Sequence, residues 1–231
     1  IIKKKIQIVH THSSKAGILG RLAAALAGAV KIIHTVHGWS FNDFQPVLVK
    51  KFYILLERLC ALCTDKLIVV SYYDKLKGLK NHIGNEDKYC LIRYGIDYAE
   101  FNIKDHSIRR ELGINTEDLV VGMTACFKPQ KCPQDFIKLA FRITRLMPEV
   151  KFILVGDGVL RREIEGLISI YNLENNVILT GWREDVARIL SCLDVFVLTS
   201  LWEGLPVTVL EAIASFKPVV VTDTGGVNEV I

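Results

Sequence analysis

Apolar, β-branched runs alternate with amphipathic segments of roughly ten to fifteen residues along most of the chain. IQIVHT, KIIHTVHG, KLIVVS and KYCLIRYGI come first, separated by AGILGRLAAALAGAV, by a long segment through VLVKKFYILLERLCALC, and by a shorter one near residues 72–82. Within the runs, apolar residues do not alternate with polar ones, the pattern of strands covered on both faces. The segments between them carry a helical period. Such alternation predicts parallel sheets with helices packed against them.

From Tyr94 to Ile108, in YGIDYAEFNIKDHSI, the hydrophobic period disappears and charge accumulates, as in a linker. The alternation then restarts. DLVVGMTAC, VKFILVG, NVILT, DVFVLTS and PVVVTD read as strands, and PQDFIKLAFRITRLM, LRREIEGLISIY, EDVARILSC and PVTVLEAIASF as helices. The expected fold is α/β: two Rossmann-like, doubly wound parallel-sheet domains, residues 1–103 and 104–231, facing across a cleft between the carboxyl ends of their strands. Both are expected to be incomplete, because the chain enters on a strand without an initial Met and stops at GGVNEVI, where a glycine turn opens a helix.

Half the residues are hydrophobic, which excludes a disordered chain. A formal charge of +4 is too small to argue for nucleic acid, so none is expected as a partner. The six cysteines, at 60, 63, 90, 126, 132 and 192, are scattered and read as reduced, buried thiols of a cytoplasmic protein. Cys60-Ala-Leu-Cys63 has no second pair at zinc spacing, so core packing is favoured over metal binding. No apolar run reaches the ~18 residues of a spanning helix. The expected location is the cytoplasm. WSFNDFQPVLVKKFYILLERL, where aromatics neighbour Lys50, Lys51 and Arg58, is expected to be a partly buried helix with a solvated charged face; peripheral contact with the inner face of the membrane is the alternative for that stretch.

The segment LTSLWEGLPVTVLEAIASFKPVVVTD carries the chemistry. A strand ends near Ser200, Gly204 permits a tight turn beside Leu205, and Pro206 suits the first helical position. Amides that follow, at Val207 and Thr208, would then present the positive end of a helix dipole to a phosphate. Glu211 lies ~7.5 Å along the axis from the helix start. Glu203 stays in the loop on the other side. Carboxylates accept hydroxyl protons and repel phosphate, so this spacing suits a ligand with hydroxyls at both ends and a diphosphate between them.

With its Glu-x7-Glu arrangement, EGLPVTVLE, after DVFVLTS and before KPVVVTDTGGVNEVI, resembles the donor half of retaining glycosyltransferases of family 4, whose fold is the two-Rossmann GT-B type. The resemblance extends to HTHSSKAGILGRLAA, HTVHGWSF, IRYGIDYAEF, FKPQK, VGDG and LTGWREDV, nearly the whole chain. It implies that Lys131 and an Arg five residues earlier neutralise the diphosphate; here Cys126 stands at the Arg position, and Lys128 is the candidate for the second charge. Surface lysine is the ordinary alternative for both. The resemblance also puts His37 near the donor sugar and β-phosphate, Gly156 and Gly158 near the nucleotide, Trp182 and Arg183 beside the base, and Gly17 near the phosphates.

His10 and His12 share a strand face; His12 is expected to line the cleft and His10 to be buried, with no third ligand to complete a metal site. Gly156-Asp157-Gly158 lacks the third glycine and the later acidic residue of a dinucleotide fingerprint, which argues against NAD. The expected function is metal-independent, cofactor-free transfer of a hexose from a nucleotide diphosphate sugar to a sugar or lipid-linked acceptor with retention, in cell-surface polysaccharide synthesis. Lys131, Glu203 and His37 are its catalytic candidates. A glycoside hydrolase using Glu203 and Glu211, and a non-catalytic nucleotide-sugar binder or epimerase on the same fold, are the alternatives.

Overall fold

The computed structural model describes residues 1–103, 105 and 107–231. The first sheet is built from β1 (Ile8–His12), β2 (Lys31–Val36), β3 (Lys66–Val69) and β4 (Tyr89–Leu91), all parallel and in chain order. Three helices connect them: α1 (Ser14–Leu26), α2 (Val47–Leu62) and α3 (Tyr72–Lys80). Because right-handed crossovers advance in one direction, these helices share one face of the sheet. A buried ion pair, Arg21 Nη2 to Glu57 Oε2 at 2.6 Å, joins α1 to α2 there. Among the described residues β1 is an edge strand, and His10 is exposed rather than buried as expected.

In the second sheet the order is β7-β6-β5-β8-β9, again all parallel, from β5 (Val120–Thr124), β6 (Lys151–Val155), β7 (Val177–Gly181), β8 (Val195–Leu198) and β9 (Val219–Val221). The chain winds outward from β5 to β7 and then returns to β8 and β9. That reversal makes this sheet doubly wound and opens a crevice at the carboxyl ends of β5 and β8. Helices α6 (Pro133–Thr144), α7 (Arg161–Ile170), α8 (Val186–Cys192) and α9 (Val207–Ala214) flank it. Met123, Phe136, Ile153 and Phe196 are fully buried between the layers, which is why these strands are apolar on both faces.

The stretch expected as a linker contains two short helices, α4 (Tyr98–Phe101) and α5 (Ser107–Glu111). Phe101 and Ile108 enter the core of the second sheet. These helices are too short to show a period in sequence, so the missing period together with the charge suggested a linker. The expected boundary falls at Lys104, outside the described residues. The cysteines also depart from expectation: only Cys60 and Cys192 are buried, and Cys90 is exposed.

Candidate functional site

The loop after β5 (125–131) and the loop after β8 (199–206) form the walls of the crevice. Backbone and side-chain bonds staple them together: Leu201 N–H to Gln130 O at 2.8 Å, Gln130 Nε2 to Trp202 O at 2.9 Å, and Thr199 Oγ1 to Cys132 O at 2.9 Å. Within this frame the Lys131 ammonium donates to the Glu203 carboxylate, both side chains being largely buried. Two of the three catalytic candidates are thus one unit.

The opposite wall comes from the first sheet. His37, Gly38 and Trp39 follow β2, and Tyr73, Asp74 and Lys77 lie on α3; with Glu203 and Gly204 they enclose about 140 Å³. Glycine is required where the walls touch at Gly204 and where Gly225 backs the Glu203 loop. A Cβ on Gly204 would lie 2.6 Å from His37 O, and one on Gly225 2.0 Å from Glu203 O. Glu229, from the turn after β9, accepts the backbone N–H groups of Tyr72 at 2.9 Å and Tyr73 at 2.8 Å, and the Arg93 guanidinium at 2.7 Å. A carboxylate from beside the second sheet thereby caps a helix of the first. Burial opposes its charge, but these donors hold the Glu229 carboxyl below its usual range.

His37 Nε2 pairs with His12 Nδ1 at 2.9 Å, and His37 Nδ1 pairs with the Tyr94 hydroxyl. The ring is oriented from both sides. Burial, then the neighbouring His12 and His10, lower its pKa, favouring the neutral imidazole. Burial also pushes Asp74 up to about 6, although Ser71 donates to its carboxylate.

Pro206 is the residue before α9 rather than its first residue: its ψ of 108° is extended, and Val207 opens the helix. No side chain caps this end, and among the described residues the Val207 and Thr208 amides have no acceptor. The Thr208 hydroxyl is buried without a partner. Leu205 is buried beneath the turn. Glu211 does not line the pocket of Glu203; half-buried on α9, it has its pKa raised by burial and by Glu100 of α4. Gly156 and Gly158 press on the loop carrying Lys128, since their added Cβ atoms would meet Ala125 O at 2.0 Å and Phe127 O at 2.5 Å. Lys128 is exposed, and Cys126 is half-buried in the same loop. Trp182 is exposed, whereas Arg183 is engaged by Asp185 and Glu111. Gly17 lies within α1, where a Cβ would come 2.4 Å from the His34 ring, so packing against His34 accounts for this glycine.

Sequence reasoning missed Trp39, Asp74, Lys77, Gln130, Tyr94 and Glu229. Only Ser71-x-x-Asp74, a capping box, carried a local signal, and it reads as a helix start rather than a site. Among the described residues no three His, Cys, Asp or Glu side chains converge to hold a metal.

Residues 104–231 match the sequence profile of the glycosyl transferases group 1, and residues 1–100 that of Glycosyltransferase Family 4. The UDP-Gal:alpha-D-GlcNAc-diphosphoundecaprenol alpha-1,3-galactosyltransferase of Escherichia coli is 39% identical over 232 residues, covering 98% of this chain and 60% of its own. The putative glycosyltransferase EpsD of Bacillus subtilis is 28% identical, with 97% and 60% covered. This chain therefore spans about 60% of the length of these relatives. Among solved structures, Anabaena HepE in complex with UDP and glucose superposes with a TM-score of 0.84 at 21% identity, over 97% of this chain and 61% of HepE. Sucrose-phosphate synthase of Thermosynechococcus elongatus gives 0.82 at 22% identity, over 96% and 57%. With two parallel-sheet Rossmann-like domains in the GT-B arrangement and more than half its residues matched by the profile, the chain belongs to the glycosyl transferases group 1.

Proposed function

We propose that this chain is the larger part of a hexosyltransferase that moves a sugar from a nucleotide diphosphate, UDP in the first instance, to a lipid-linked glycan acceptor in polysaccharide synthesis. The observation that carries the reading is the Lys131–Glu203 unit at the switch-point crevice, facing His37 across the domain contact. The family membership and the E. coli galactosyltransferase with its diphosphoundecaprenol-linked acceptor support it. No helix among the described residues is long and apolar enough to cross a membrane. A cytoplasmic enzyme working at the inner membrane face is the location proposed with this substrate.

In this mechanism the diphosphate docks at the uncapped start of α9. The Val207 and Thr208 amides, with Lys131 and Lys128, stabilise negative charge as the sugar–oxygen bond breaks. Glu203 accepts hydrogen bonds from sugar hydroxyls, and its pairing places Lys131 next to the same sugar. Glu211 accepts from the ribose. His37 borders the side from which the acceptor arrives. Independence of metal belongs to this proposal, because backbone donors and lysines supply the charge stabilisation a cation would otherwise give; retention and independence of cofactor belong to it through the resemblance to family 4 alone. A hydrolase reading leaves the unpartnered amides without a purpose.

Lys131→Ala and Glu211→Ala, made separately in the complete enzyme, test it with UDP-sugars. Loss of turnover in the first and a raised donor KM in the second are expected; full activity in both sinks the mechanism.

A further inference from the structure

A second cavity of about 360 Å³ adjoins the first, with Tyr73 and Lys77 lining both. Its other walls bring in Lys50 at the start of α2, Lys80 at the end of α3, and the buried ring of Phe41. Lys77 and Lys80 stand one turn apart on α3, so both ammonium groups face the same space. Among the described residues Asp43 is the one carboxylate lining the cavity, and it pairs with Lys50, so Lys77 and Lys80 have no ion-pair partner there, although Asp74 on the same helix lies near Lys77.

Lys77 is the informative member. It is half-buried, its ammonium lies 5.3 Å from the Phe41 ring centre and 5.8 Å from that of Tyr73, and among the described residues it makes no ion pair or hydrogen bond. Burial lowers its pKa, although Asp74 and Asp43 act in the other direction. Ring faces compensate an ammonium only in part, so a desolvated cation held this way attracts an anion.

We propose that this cavity seats the diphosphate of a lipid-linked acceptor, with Lys77 and Lys80 contacting its oxygens and Lys50 completing the charge. The inference rests on the hexosyltransferase reading. There the donor diphosphate occupies the start of α9, so a second basic seat one residue from the donor pocket calls for a second anion. An acceptor sugar joined to that diphosphate reaches Glu203 and His37 through the wall that Tyr73 and Lys77 share. Leu76, also lining the cavity and half exposed, offers apolar surface to the first carbons of the lipid.

The complete enzyme and its Lys50→Gln/Lys80→Gln double variant are assayed with two acceptors, farnesyl-diphosphate-linked N-acetylglucosamine and the octyl glycoside of the same sugar. The double variant raises KM for the diphosphate-linked acceptor about tenfold or more and leaves KM for the octyl glycoside and for UDP-sugar unchanged. Lys77→Gln, checked for folding by its thermal transition, raises the diphosphate-linked KM at least as much. Inorganic pyrophosphate competes with that acceptor in the wild type and less well in the variants. Equal losses on both acceptors, or a raised KM for the donor, overturn the proposal while leaving the hexosyltransferase reading intact. A wild type that turns over no UDP-sugar with either acceptor removes both.

Discussion

Lys131 and Glu203 meet as a buried ion pair although 72 residues separate them, one on the loop after β5 and the other on the loop after β8. Their contact spans the point where the sheet order reverses. It ties the cation proposed for the leaving group to the carboxylate proposed for the sugar.

That contact predicts non-additive kinetics. Lys131→Ala should lower kcat by about 10²–10³, the usual effect of removing a group that stabilises developing charge. Glu203→Gln should also lower kcat, because it frees the lysine from its position. The double variant should be little worse than Lys131→Ala alone, giving an interaction energy of about 1–3 kcal/mol in a double-mutant cycle. Fully additive losses would mean that the two side chains act independently.

The strands and helices of the second domain were legible because buried parallel strands are apolar on both faces and the helices between them keep their period. The turn at Gly204 and the start of α9 were legible to within one residue. The Lys131–Glu203 pairing was not, since each residue is ordinary in its own loop and only the sheet order unites them. His10 was expected to be buried, but among the described residues β1 is an edge strand, which five residues of sequence do not reveal. Lys77 and Asp74 fall on a short amphipathic helix whose charges look solvated until the second domain is set against it. Glu229, which caps that helix, comes from the far end of the chain.

Glu229→Ala removes two backbone caps and an ion pair at once. A loss of about 1–2 kcal/mol is expected, read as a fall of about 2–8 °C in the thermal transition at pH 7. Because the native carboxyl titrates below its unfolded value, its contribution is present above about pH 4.5 and disappears as pH falls below that. Wild type and variant should therefore converge in acid. A constant gap across pH would show that the carboxylate charge is irrelevant to the clasp.

Asp74 has the opposite sign. Its native pKa of about 6 lies above the ordinary value of 3.8, so the folded protein binds the extra proton between them. Stability contributed by this group is full below about pH 4 and falls as pH rises to about 6, by at most about 3 kcal/mol for a gap of about two units. Asp74→Asn keeps the bond to Ser71 and abolishes this slope. Denaturant titrations of both proteins at pH 4.5 and 7 measure it: the variant should gain on the wild type at pH 7, and a parallel dependence would refute the assignment.

Two glycine substitutions should move in opposite directions for reasons the backbone makes plain. In Gly204→Ala the new methyl lies 2.6 Å from His37 O and 2.9 Å from Gly38 N, both rigid backbone atoms. It forces the two domains apart where they must close, so donor turnover should drop at least tenfold. Gly166 sits in α7 with nothing within 4 Å of an added Cβ. Gly166→Ala removes backbone freedom from the unfolded chain and should stabilise by about 0.5–1 kcal/mol with activity unchanged. Parallel thermal and kinetic measurements separate the two effects: a Gly204→Ala enzyme with wild-type turnover would show that the Gly38–Gly204 approach is dispensable for the reaction.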